Sequence, residues 1–480
     1  MDTDKTVEVV NLMGEPNSLE EGRAVSIIKE MLQISAIGPI SIEGIDRVVE
    51  IMSKIDEGFV AAIMSVEENI PEAPINGLSV EECVRILEQI EKEKVDVILV
   101  ELDKLNPEKA QRIKESLWLR SQQDERTGLV RSLKTDDQLL KNRAYTYDQA
   151  LAILHFLQDG DYQLAKKILD FYKNRAERIK GAFAECYNAK SGRVEEWVAD
   201  AGVNSWLVMA ILQYTEKTGD DSYMSLAEEI ADWVIDLQKE NGGIVGGYEP
   251  VDEYGNYKKV DWVSTEHNID AYVILVKLYE KTGNEKYKTA ADKVISWLKD
   301  KGFKNVPHRG EDDETVATDV VALAITFLGP QELVSMGLNP EDLIKFIEDK
   351  CKVAVEYKKP DDTTINITGF DYTNAIETGV RDYSIISFEW TAEMICAYQT
   401  LADYYAEQGD TEKADLYQEK ADFFLEEFNK AKVEGIIPYA SQEGWTFLPN
   451  EGGWVATNYL SVASTVWYSL SRQELNLFVF

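Results

Sequence analysis

Basic residues are scarce in this sequence. Fifty Lys and Arg residues stand against 87 Asp and Glu residues in a chain of 480, which gives a formal net charge of -37. A nucleic-acid-binding protein needs a basic footprint, and no Lys/Arg cluster stands out from this acidic background. Anionic membrane surfaces are disfavoured as partners for the same reason. The acidic residues are spread over predicted helix surfaces, which favours solubility as their main role.

Cysteine is also rare. Cys83, Cys186, Cys351 and Cys396 lie far apart with no CxxC pair, which argues against a zinc knuckle and against a disulfide framework. We expect buried free thiols. No stretch approaches the roughly 18 apolar residues of a membrane span, and the N-terminus lacks the basic and apolar regions of a signal peptide. The chain as given is typical of a cytoplasmic protein, although a secreted chain trimmed of its leader would look the same.

Motifs for nucleotide cofactors are missing as well, since no GxGxxG or P-loop pattern occurs. The acidic runs at 311–314 (EDDE) and 361–362 (DD) could bind calcium through carboxylate oxygens. No EF-hand spacing accompanies them, so a solvated acidic loop is the favoured interpretation. We therefore predict neither a cofactor nor a metal ion.

What the sequence does contain is an internal repeat. Short turns, each followed by an amphipathic helix pattern, recur at Gly160, Gly219, Gly283 and Gly409. The spacings are 59, 64 and 126, which places a missing unit near residue 346. A helix pattern begins there after Asn339 and Pro340, which suit the cap and the first turn. One more pattern starts at Leu105, so the repeat predicts six such helices.

A second class of helix alternates with the first. These segments are apolar on nearly all faces, which is typical of buried helices, and they are 145–157, 204–215, 265–279, 317–328, 387–405 and 456–470. Six charged outer helices alternating with six inner ones predict an all-α (α/α)6 toroid over residues 105–480. An open solenoid is the alternative, but the count stops at six pairs and the inner helices are too apolar for a concave surface.

Residues 1–104 do not follow the repeat. The patterns LEEGRAVSIIKEMLQIS and SVEECVRILEQIEKE indicate helices, whereas VDVILVEL could form a strand or a helix. We interpret this region as a mostly helical N-terminal extension whose role the sequence does not reveal.

Polar residues open the inner segments, at positions that the helix pattern would otherwise fill with apolar groups. In such a ring the loops before the inner helices all lie at one end, so these side chains should converge on a central pocket. Each of them could instead be an ordinary N-cap or a first-turn acid. They are Tyr147, Asp148, Asn204, Trp206, Glu266, His267, Asn268, Asp270, Thr318, Asp319, Glu389, Trp390, Glu393 and Asn458.

The densest polar cluster is STEHNID at 264–270. Glu266 and Asp270 are four residues apart and share a helix face, where like charges tend to raise one pKa. A raised carboxyl pKa suits a general acid near neutral pH. A capping box around Ser264 is the structural alternative, but it explains Asp270 poorly.

Aromatic residues crowd the same loops. Sugar rings stack on aromatic faces while carboxylates accept their hydroxyls, so a pocket rich in Trp, Tyr, Asp and Glu suits a neutral glycan. Packing of loops onto the ring would explain many of these aromatics equally well. They are Trp118, Tyr147, Phe183, Trp197, Trp206, Tyr248, Trp262, Phe370, Tyr372, Trp390, Trp445 and Trp454.

The repeat, together with YTYDQALA, GAFAECY, STEHNIDAY and the ending ASTVWYSLSRQELNLF, resembles the six-hairpin glycosidase superfamily of (α/α)6 toroids. The resemblance covers about residues 105–480. It implies a glycoside hydrolase, in most members inverting, with one carboxyl as acid and another as base. On this basis we expect Glu266 as the general acid and Asp319 or Glu389 as the base.

The resemblance also suggests side chains that hold the substrate. Asp148 and Asp270 would bind sugar hydroxyls or water, His267 is either a substrate contact or part of the pocket wall, and Arg309 would sit at the rim beside His308. The complete set of expected substrate-binding residues is Tyr147, Asp148, Trp206, Tyr248, His267, Asp270, Arg309, Trp390 and Trp454.

Other functions remain open on such a ring. Epimerases of the N-acylglucosamine type use histidines, but only three occur here and His155 is expected in the core. Polysaccharide lyases favour a basic pocket, although Arg143, Arg309 and Arg381 leave room for an acidic sugar. A non-catalytic glycan-binding or scaffolding toroid is the third alternative. The oligomeric state is left open.

Overall fold

The structure, a computed structural model, describes residues 42–66, 77–252, 255–304, 307–449 and 452–472. Its contacts divide the chain into two units. Unit 1 comprises the described residues of Met1–Ser121 together with Gln158–Asp161, and unit 2 comprises those of Gln122–Leu157 and Tyr162–Phe480. The predicted domain boundary between residues 104 and 105 stays a prediction.

Unit 1 is helical wherever it is described. The predicted helix at 19–35 lies outside the described residues. The segment VDVILVEL, which the sequence left between strand and helix, is helical, and Ser79 and Glu82 form a capping box at the start of the helix before it. The helices are α1 (Ile42–Met52), α2 (Glu57–Met64), α3 (Val80–Leu87), α4 (Lys92–Leu105) and α5 (Pro107–Gln122).

Two arginines tie α5 to the turn at Gln158–Asp161 within unit 1. Arg120 Nε donates to Asp161 Oδ2 at 2.9 Å, and Arg112 Nη2 donates to Asp159 Oδ1 at 3.2 Å. Both carboxylates are nearly inaccessible to solvent, so each one needs its arginine partner.

The two predicted helix classes are both present among the described residues. Outer helices have one buried apolar face, and they are α5, α7 (Tyr162–Asn174), α9 (Met224–Asp236), α11 (Glu285–Trp297), α14 (Pro340–Cys351) and α17 (Thr411–Ala431). Inner helices are buried almost all round, and they are α6 (Thr146–Gln158), α8 (Ala201–Thr218), α10 (Thr265–Thr282), α12 (Thr318–Leu323), α16 (Phe388–Glu407) and α18 (Val462–Arg472).

Helix α14 is the unit that the spacing rule placed near residue 346. Asn339 caps it by accepting the backbone N–H of Glu341, and Pro340 occupies its first turn. A short helix α13 (Gly329–Ser335) precedes it, and α12 continues as a π-helical turn at Ala324–Leu328. The predicted repeat is confirmed. Its first outer helix, α5, is grouped by its contacts with unit 1.

A cycle of backbone hydrogen bonds closes the inner ring. The first N–H of each inner helix has no acceptor within its own helix, and it donates to a carbonyl in the loop of the next hairpin. The donor–acceptor pairs are Thr146–Glu185, Ala201–Gly246, Thr265–Arg309, Thr318–Tyr372, Phe388–Tyr439 and Val462–Ser132, at 2.8–3.3 Å. The last pair returns to the first loop, so the (α/α)6 toroid is confirmed and the open solenoid is excluded.

Side chains of the inner helices also form hydrogen bonds with the backbone of these loops, each helix binding the loop that precedes it. Gln149 Oε1 accepts the Val130 N–H at 2.7 Å, and its Nε2 donates to the Val130 carbonyl at 2.8 Å. Asn204 does the same for Phe183 at 2.9 and 3.0 Å. Thr391 and Thr465 accept one loop N–H each, from Phe370 and Ile437, and Asn268 binds both groups of Ile244. We call these five side chains the loop clamps.

Short strands reinforce the long loops of unit 2. Among the described residues they form six small antiparallel sheets. The strands are β1 (Leu133–Lys134), β2 (Arg143–Tyr145), β3 (Arg178–Ile179), β4 (Ala182–Phe183), β5 (Cys186–Asn188), β6 (Val194–Glu196), β7 (Ala199–Asp200), β8 (Gly247–Pro250), β9 (Tyr257–Lys259), β10 (Lys352–Lys358), β11 (Thr364–Phe370), β12 (Gly444–Trp445), β13 (Val455–Ala456) and β14 (Leu460–Ser461).

Loss of a loop clamp should destabilise unit 2. Gln149 is fully buried, so Gln149→Leu would leave the N–H and the carbonyl of Val130 unpaired in the interior. At about 1–3 kcal/mol for each of the two orphaned groups, the free energy of unfolding should fall by about 2–6 kcal/mol. Urea unfolding followed by tryptophan fluorescence measures this change.

The matched control is Gln163→Leu on the exposed face of α7. A surface substitution of this kind should change stability by no more than about 0.5 kcal/mol. Equal losses in the two variants would contradict the structural role of the clamp.

Candidate active site

A cavity of about 840 Å³ opens at the loop end of the inner ring in unit 2. Its wall is made of the first turns of inner helices and of the loops that precede them. Ten carboxyl groups line it: Glu185, Glu196, Asp200, Glu249, Glu266, Glu311, Asp313, Asp319, Glu389 and Glu393. The basic side chains among the described lining residues are His267 and Arg309. The cavity is therefore strongly acidic.

Nine of the twelve predicted site residues line this cavity. The nine are Tyr147, Trp206, Glu266, His267, Arg309, Asp319, Glu389, Trp390 and Trp454. Asp148, Asp270 and Tyr248 lie outside the lining. Tyr248 is half-buried on β8, where its ring packs near Trp233 at 6.3 Å. Asp148 is buried and forms a hydrogen bond with Ser132. Burial raises the pKa of the Asp148 carboxyl to about 7.

Asn204 and Asn268 are not cavity groups, although their positions suggested it. Both are fully buried, and their amides clamp loop backbone as described above. The interpretation of these two residues as pocket-facing is wrong, because the helix pattern does not distinguish a polar group that faces the cavity from one that faces backbone. Thr318 is buried too, and its hydroxyl donates to the Asp371 carbonyl at 2.6 Å.

His267 joins two carboxylates at one side of the cavity. Its Nε2 lies 3.2 Å from Glu266 Oε2, and its Nδ1 lies 3.3 Å from Asp200 Oδ1. The second contact has an ion-pair distance without the alignment of a hydrogen bond. Burial alone would lower the pKa of the ring, but Asp200, Glu266 and Asp319 outweigh it and raise the pKa. These three carboxylates therefore favour the imidazolium form of His267.

The position of this ring depends on a glycine in the neighbouring helix. A Cβ atom at Gly202, in the first turn of α8, would lie only 2.4 Å from His267 Cδ2. Asp200 caps the same turn by accepting the Gly202 N–H at 2.8 Å. One helix start thus provides both the space for the imidazole and the carboxylate that faces it.

Asp270 sits one turn below Glu266 and is fully buried. Neither of its oxygens accepts a hydrogen bond from the described residues. Burial raises its pKa well above the usual range, and the neighbouring Glu266 charge raises it further. The interaction between the two carboxyls lowers the pKa of Glu266 and raises that of Asp270.

Asp319 and Glu389 face the same space from α12 and α16. Burial raises the pKa of each carboxyl to about 8, and the charge of Glu266 adds to both shifts. Arg309 and His267 oppose the shift at Asp319, whose Oδ1 also accepts the Val320 N–H at 2.8 Å.

The largest effect that opposes the shift at Glu389 is its hydrogen bond with the Tyr147 hydroxyl. That hydroxyl in turn accepts a hydrogen bond from Trp467 Nε1 at 2.7 Å. Glu393, one turn deeper on α16, is 2% exposed, and its Oε2 accepts no hydrogen bond from the described residues. Burial and the Glu389 charge raise the pKa of Glu393 well above its usual range.

Sequence reasoning missed four carboxyls that come from one stretch of loops and strands. Glu185, Glu196, Asp200 and Glu249 lie on or next to β5 to β8 and complete one wall. Asp200 carried a usable signal, because it precedes an inner helix as Ser264 does. The sequences around the other three carry no recognisable pattern. Only the pairing of the strands brings these carboxyls to the cavity.

The arginines expected near the rim all have carboxylate partners. Arg309 Nε donates to Asp313 at 2.8 Å, and its guanidinium lies 4.6 Å from the Phe447 ring centroid. Arg381 is buried and bound to Asp371, while Arg143 pairs with Glu196. Arg381 and Arg143 do not line the cavity.

The remaining histidines lie apart from this chemistry. His155 is buried in the core of α6, and His308 contacts the Lys304 carbonyl at 3.2 Å outside the cavity lining. Among the described residues no group of three or more His, Cys, Asp or Glu side chains is arranged to hold a metal ion. Nor does the described part of the chain contain a helix long and apolar enough to cross a membrane.

The buried Glu389 carboxyl should make the stability of unit 2 depend on pH. Its pKa is about 8 in the folded state and near 4.5 when exposed, so only the folded chain keeps the proton between these values. Its contribution to stability is full below pH 4.5 and is lost as the pH rises to about 8. Glu389→Gln should therefore raise the Tm by roughly 3–8 °C at pH 8 and by much less at pH 4.5.

Calorimetric melting of both proteins across this pH range measures the difference. Glu280→Gln, at the exposed end of α10, is the control and should not change the Tm at either pH. A Tm gain for Glu389→Gln that is the same at pH 4.5 and at pH 8 would contradict a raised pKa.

Comparisons with known proteins agree with this architecture. Residues 116–321 match the family model of Glycosyl hydrolase family 76, which is less than half of the chain. A comparison with curated proteins gave no match. Solved structures with the same fold include a D-mannose isomerase, with a TM-score of 0.54 and 12% identity over 77% of this chain and 96% of that one.

Two further structures are similar to the same extent. A cellobiose 2-epimerase from Spirochaeta thermophila has a TM-score of 0.53 at 12% identity, covering 78% of this chain and 96% of its own. A glycosidase in complex with glucose has a TM-score of 0.52 at 12% identity, covering 77% and 96%. At such identities the structures show the fold, and the family match bears out the glycosidase class predicted from the sequence. The chain therefore has the (α/α)6 toroid fold, and residues 116–321 are similar to Glycosyl hydrolase family 76.

Proposed function

We propose that this protein hydrolyses glycosidic bonds of a neutral oligo- or polysaccharide in the acidic cavity, with inversion at the anomeric carbon. The observation that carries the proposal is the group of buried carboxyls on three inner helices, which have different electrostatic partners. Paired acid and base catalysis requires two carboxyls whose surroundings give them different pKa values.

Glu389 is the better general acid. Its pKa is raised to about 8 by burial, so its carboxyl is protonated at neutral pH. Tyr147, fixed by Trp467, hydrogen bonds to it and sets its orientation.

Glu266 is the better general base. Burial raises its pKa, but the adjacent imidazolium of His267 and the interaction with Asp270 both favour its ionised form. The charges of His267 and Arg309 also favour the ionised form of Asp319, which is the next candidate for this role. The sequence analysis gave Glu266 the role of the acid, and the electrostatics favour the reverse assignment.

In this mechanism Glu389 transfers its proton to the glycosidic oxygen as the bond from that oxygen to the anomeric carbon breaks. Glu266 accepts a proton from a water molecule whose oxygen bonds to the same carbon from the opposite face. The product has the inverted configuration, Glu389 ends as a carboxylate, and Glu266 ends protonated. Exchange of protons with solvent restores both groups.

The charges around the cavity favour a neutral sugar. An acidic sugar would need a free cation, but Arg309 is already paired with Asp313, Arg143 with Glu196 and Arg381 with Asp371. No lysine occurs among the described lining residues. A polysaccharide lyase acting on uronic acids is disfavoured for the same reason.

An isomerase or epimerase finds less support in the same geometry. Such enzymes need a base and an acid on either side of one sugar carbon, and the histidine type needs two imidazoles. His267 is the one histidine among the described lining residues, and both of its nitrogens face carboxylates. The likeness to an isomerase and an epimerase is one of fold.

Substitution of the two proposed catalytic residues should give different kinetic signatures. Glu389→Ala should lower kcat about 10²–10⁴-fold on natural oligosaccharides but much less on dinitrophenyl glycosides, whose leaving group needs no proton. Glu266→Ala should lower both rates, and azide should restore turnover by forming a glycosyl azide of inverted configuration. Reducing-sugar release and proton NMR of the first-formed anomer measure these outcomes.

Glu280→Gln, on the exposed end of the helix that carries Glu266, should behave as the wild type. If Glu266→Ala instead lowers the rate on natural oligosaccharides but not on dinitrophenyl glycosides, Glu266 is the general acid, as the sequence analysis expected. A first product with retained configuration would exclude inversion, and an absence of hydrolysis over a panel of α- and β-linked substrates would indicate a glycan-binding toroid.

The rate should also fall at alkaline pH. Because the acid must carry its proton, kcat/KM should decrease as the pH rises through about 8, the pKa of Glu389. Glu389→Gln, assayed on dinitrophenyl glycosides, should lose this alkaline limb. If the limb persists in that variant, the titrating group is a different carboxyl, and Asp319 is the first to test.

A further inference from the structure

The tryptophans of this chain fall into two groups with very different exposure. Six of the ten are 8% exposed or less, as expected for large apolar side chains. The other four are 40–43% exposed. These four, which we call the rim tryptophans, are Trp197, Trp262, Trp445 and Trp454.

All four rim tryptophans lie in the loops around the cavity mouth. Trp262 and Trp454 line the cavity themselves. Trp197 stands between the lining residues Glu196 and Val198, just outside the wall. Trp445 on β12 pairs with Val455 on β13, the neighbour of Trp454. Trp197 and Trp445 therefore lie outside the cavity lining, on two separate loops beside its mouth.

Two of these rings, those of Trp454 and Trp262, are fixed by contacts with neighbouring residues despite their exposure. Trp454 Nε1 donates to the Tyr439 hydroxyl at 2.8 Å, and its ring makes edge contacts with Tyr372 and Trp390 at 5.8 and 6.2 Å. Trp262 lies directly on Gly246, where a Cβ atom would come within 2.0 Å of the ring. An aromatic face that is both exposed and rigid binds a ligand with little loss of conformational entropy.

We propose that Trp197 and Trp445 are stacking sites for sugar rings outside the catalytic cavity, and that the substrate is a neutral glycan chain long enough to reach from the cavity across its rim. Weakly positive C–H groups of a sugar pack on the negative face of an indole ring. Carboxylates of the adjoining wall, such as Glu196 and Glu249, lie where they can accept the hydroxyls of the same chain. The reaction at the cavity rests on the proposed function, whereas binding at the rim can be measured without it.

The arrangement favours a glycan over a protein partner. The exposed rings adjoin a cavity lined by ten carboxyls, which suits the hydroxyls of a glycan. A protein interface would place its aromatic residues in a central cluster with charged groups at the edge.

The test compares ligands of different length on the full chain. The probes are glucose and mannose oligosaccharides, α- and β-linked, of two to six rings, and calorimetry on the Glu389→Gln background measures Kd without turnover. Trp197→Ala and Trp445→Ala should each weaken binding of the best hexasaccharide about three- to tenfold, a loss typical of one aromatic contact. The Kd of the matching disaccharide should not change.

Two further variants separate stacking from a general effect on the fold. Trp445→Phe keeps an aromatic face and should retain most of the hexasaccharide affinity. Phe423→Ala removes an aromatic ring of similar exposure on the outer helix α17 and should leave every Kd unchanged. Equal loss for the disaccharide and the hexasaccharide, or no loss for the hexasaccharide, would overturn the proposal, and so would failure of all hexasaccharides to bind.

The same measurements keep this proposal separate from the proposed function. Length-dependent binding through the rim, combined with no hydrolysis by the wild type, would support the stacking sites and reject the hydrolase. Hydrolysis of hexasaccharides at a rate that neither tryptophan variant alters would support the hydrolase and overturn the stacking sites.

Discussion

The cycle of hydrogen bonds at the inner helix starts is the constraint on which the rest of this structure depends. Each of the six first N–H groups needs an acceptor outside its helix, and each finds it in the loop of the next hairpin. Removal of any one hairpin would leave an orphaned donor on one neighbour and an unpaired carbonyl on the other. The ring is therefore specified as a closed unit, and the long loops are held at the same end of all six inner helices.

The loop clamps give this cycle its second anchor. Gln149, Asn204 and Asn268 bind both polar groups of a buried loop residue, so each of these loops is fixed by its own helix and by the preceding one. Loops of this length are usually mobile, and mobile loops cannot hold catalytic groups to within a fraction of an ångström. Here the loops act as rigid walls, which is why carboxyls on β5 to β8 can contribute to a defined cavity.

The fold could be predicted because its signals are local and repeated. Glycine turns at nearly equal spacing and two alternating helix patterns specify the six hairpins, and even the unmarked unit was predicted from arithmetic and confirmed as α14. The carboxyls of the site could be predicted only where they lie near the start of an inner helix, as Glu266, Asp319 and Glu389 do. Asn204 and Asn268 show the limit of this rule, since their amides face backbone. Glu185, Glu196 and Glu249 depend on strand pairing between distant segments, which no local pattern encodes.

One imidazole sets the chemistry of a cavity with ten carboxyls. Without a cation these groups would share protons with no preferred order, because each one raises the pKa of the others. His267 removes this symmetry, because it contacts Glu266 and Asp200 and its charge also acts on Asp319. Glu389 instead interacts with the Tyr147 hydroxyl. The ionised form is thus favoured at Glu266 and Asp200, which contact the imidazole, and the proton is favoured at Glu389. The imidazole fits at this position because Gly202 has no Cβ atom. The uneven distribution of charge in the cavity therefore depends on this glycine.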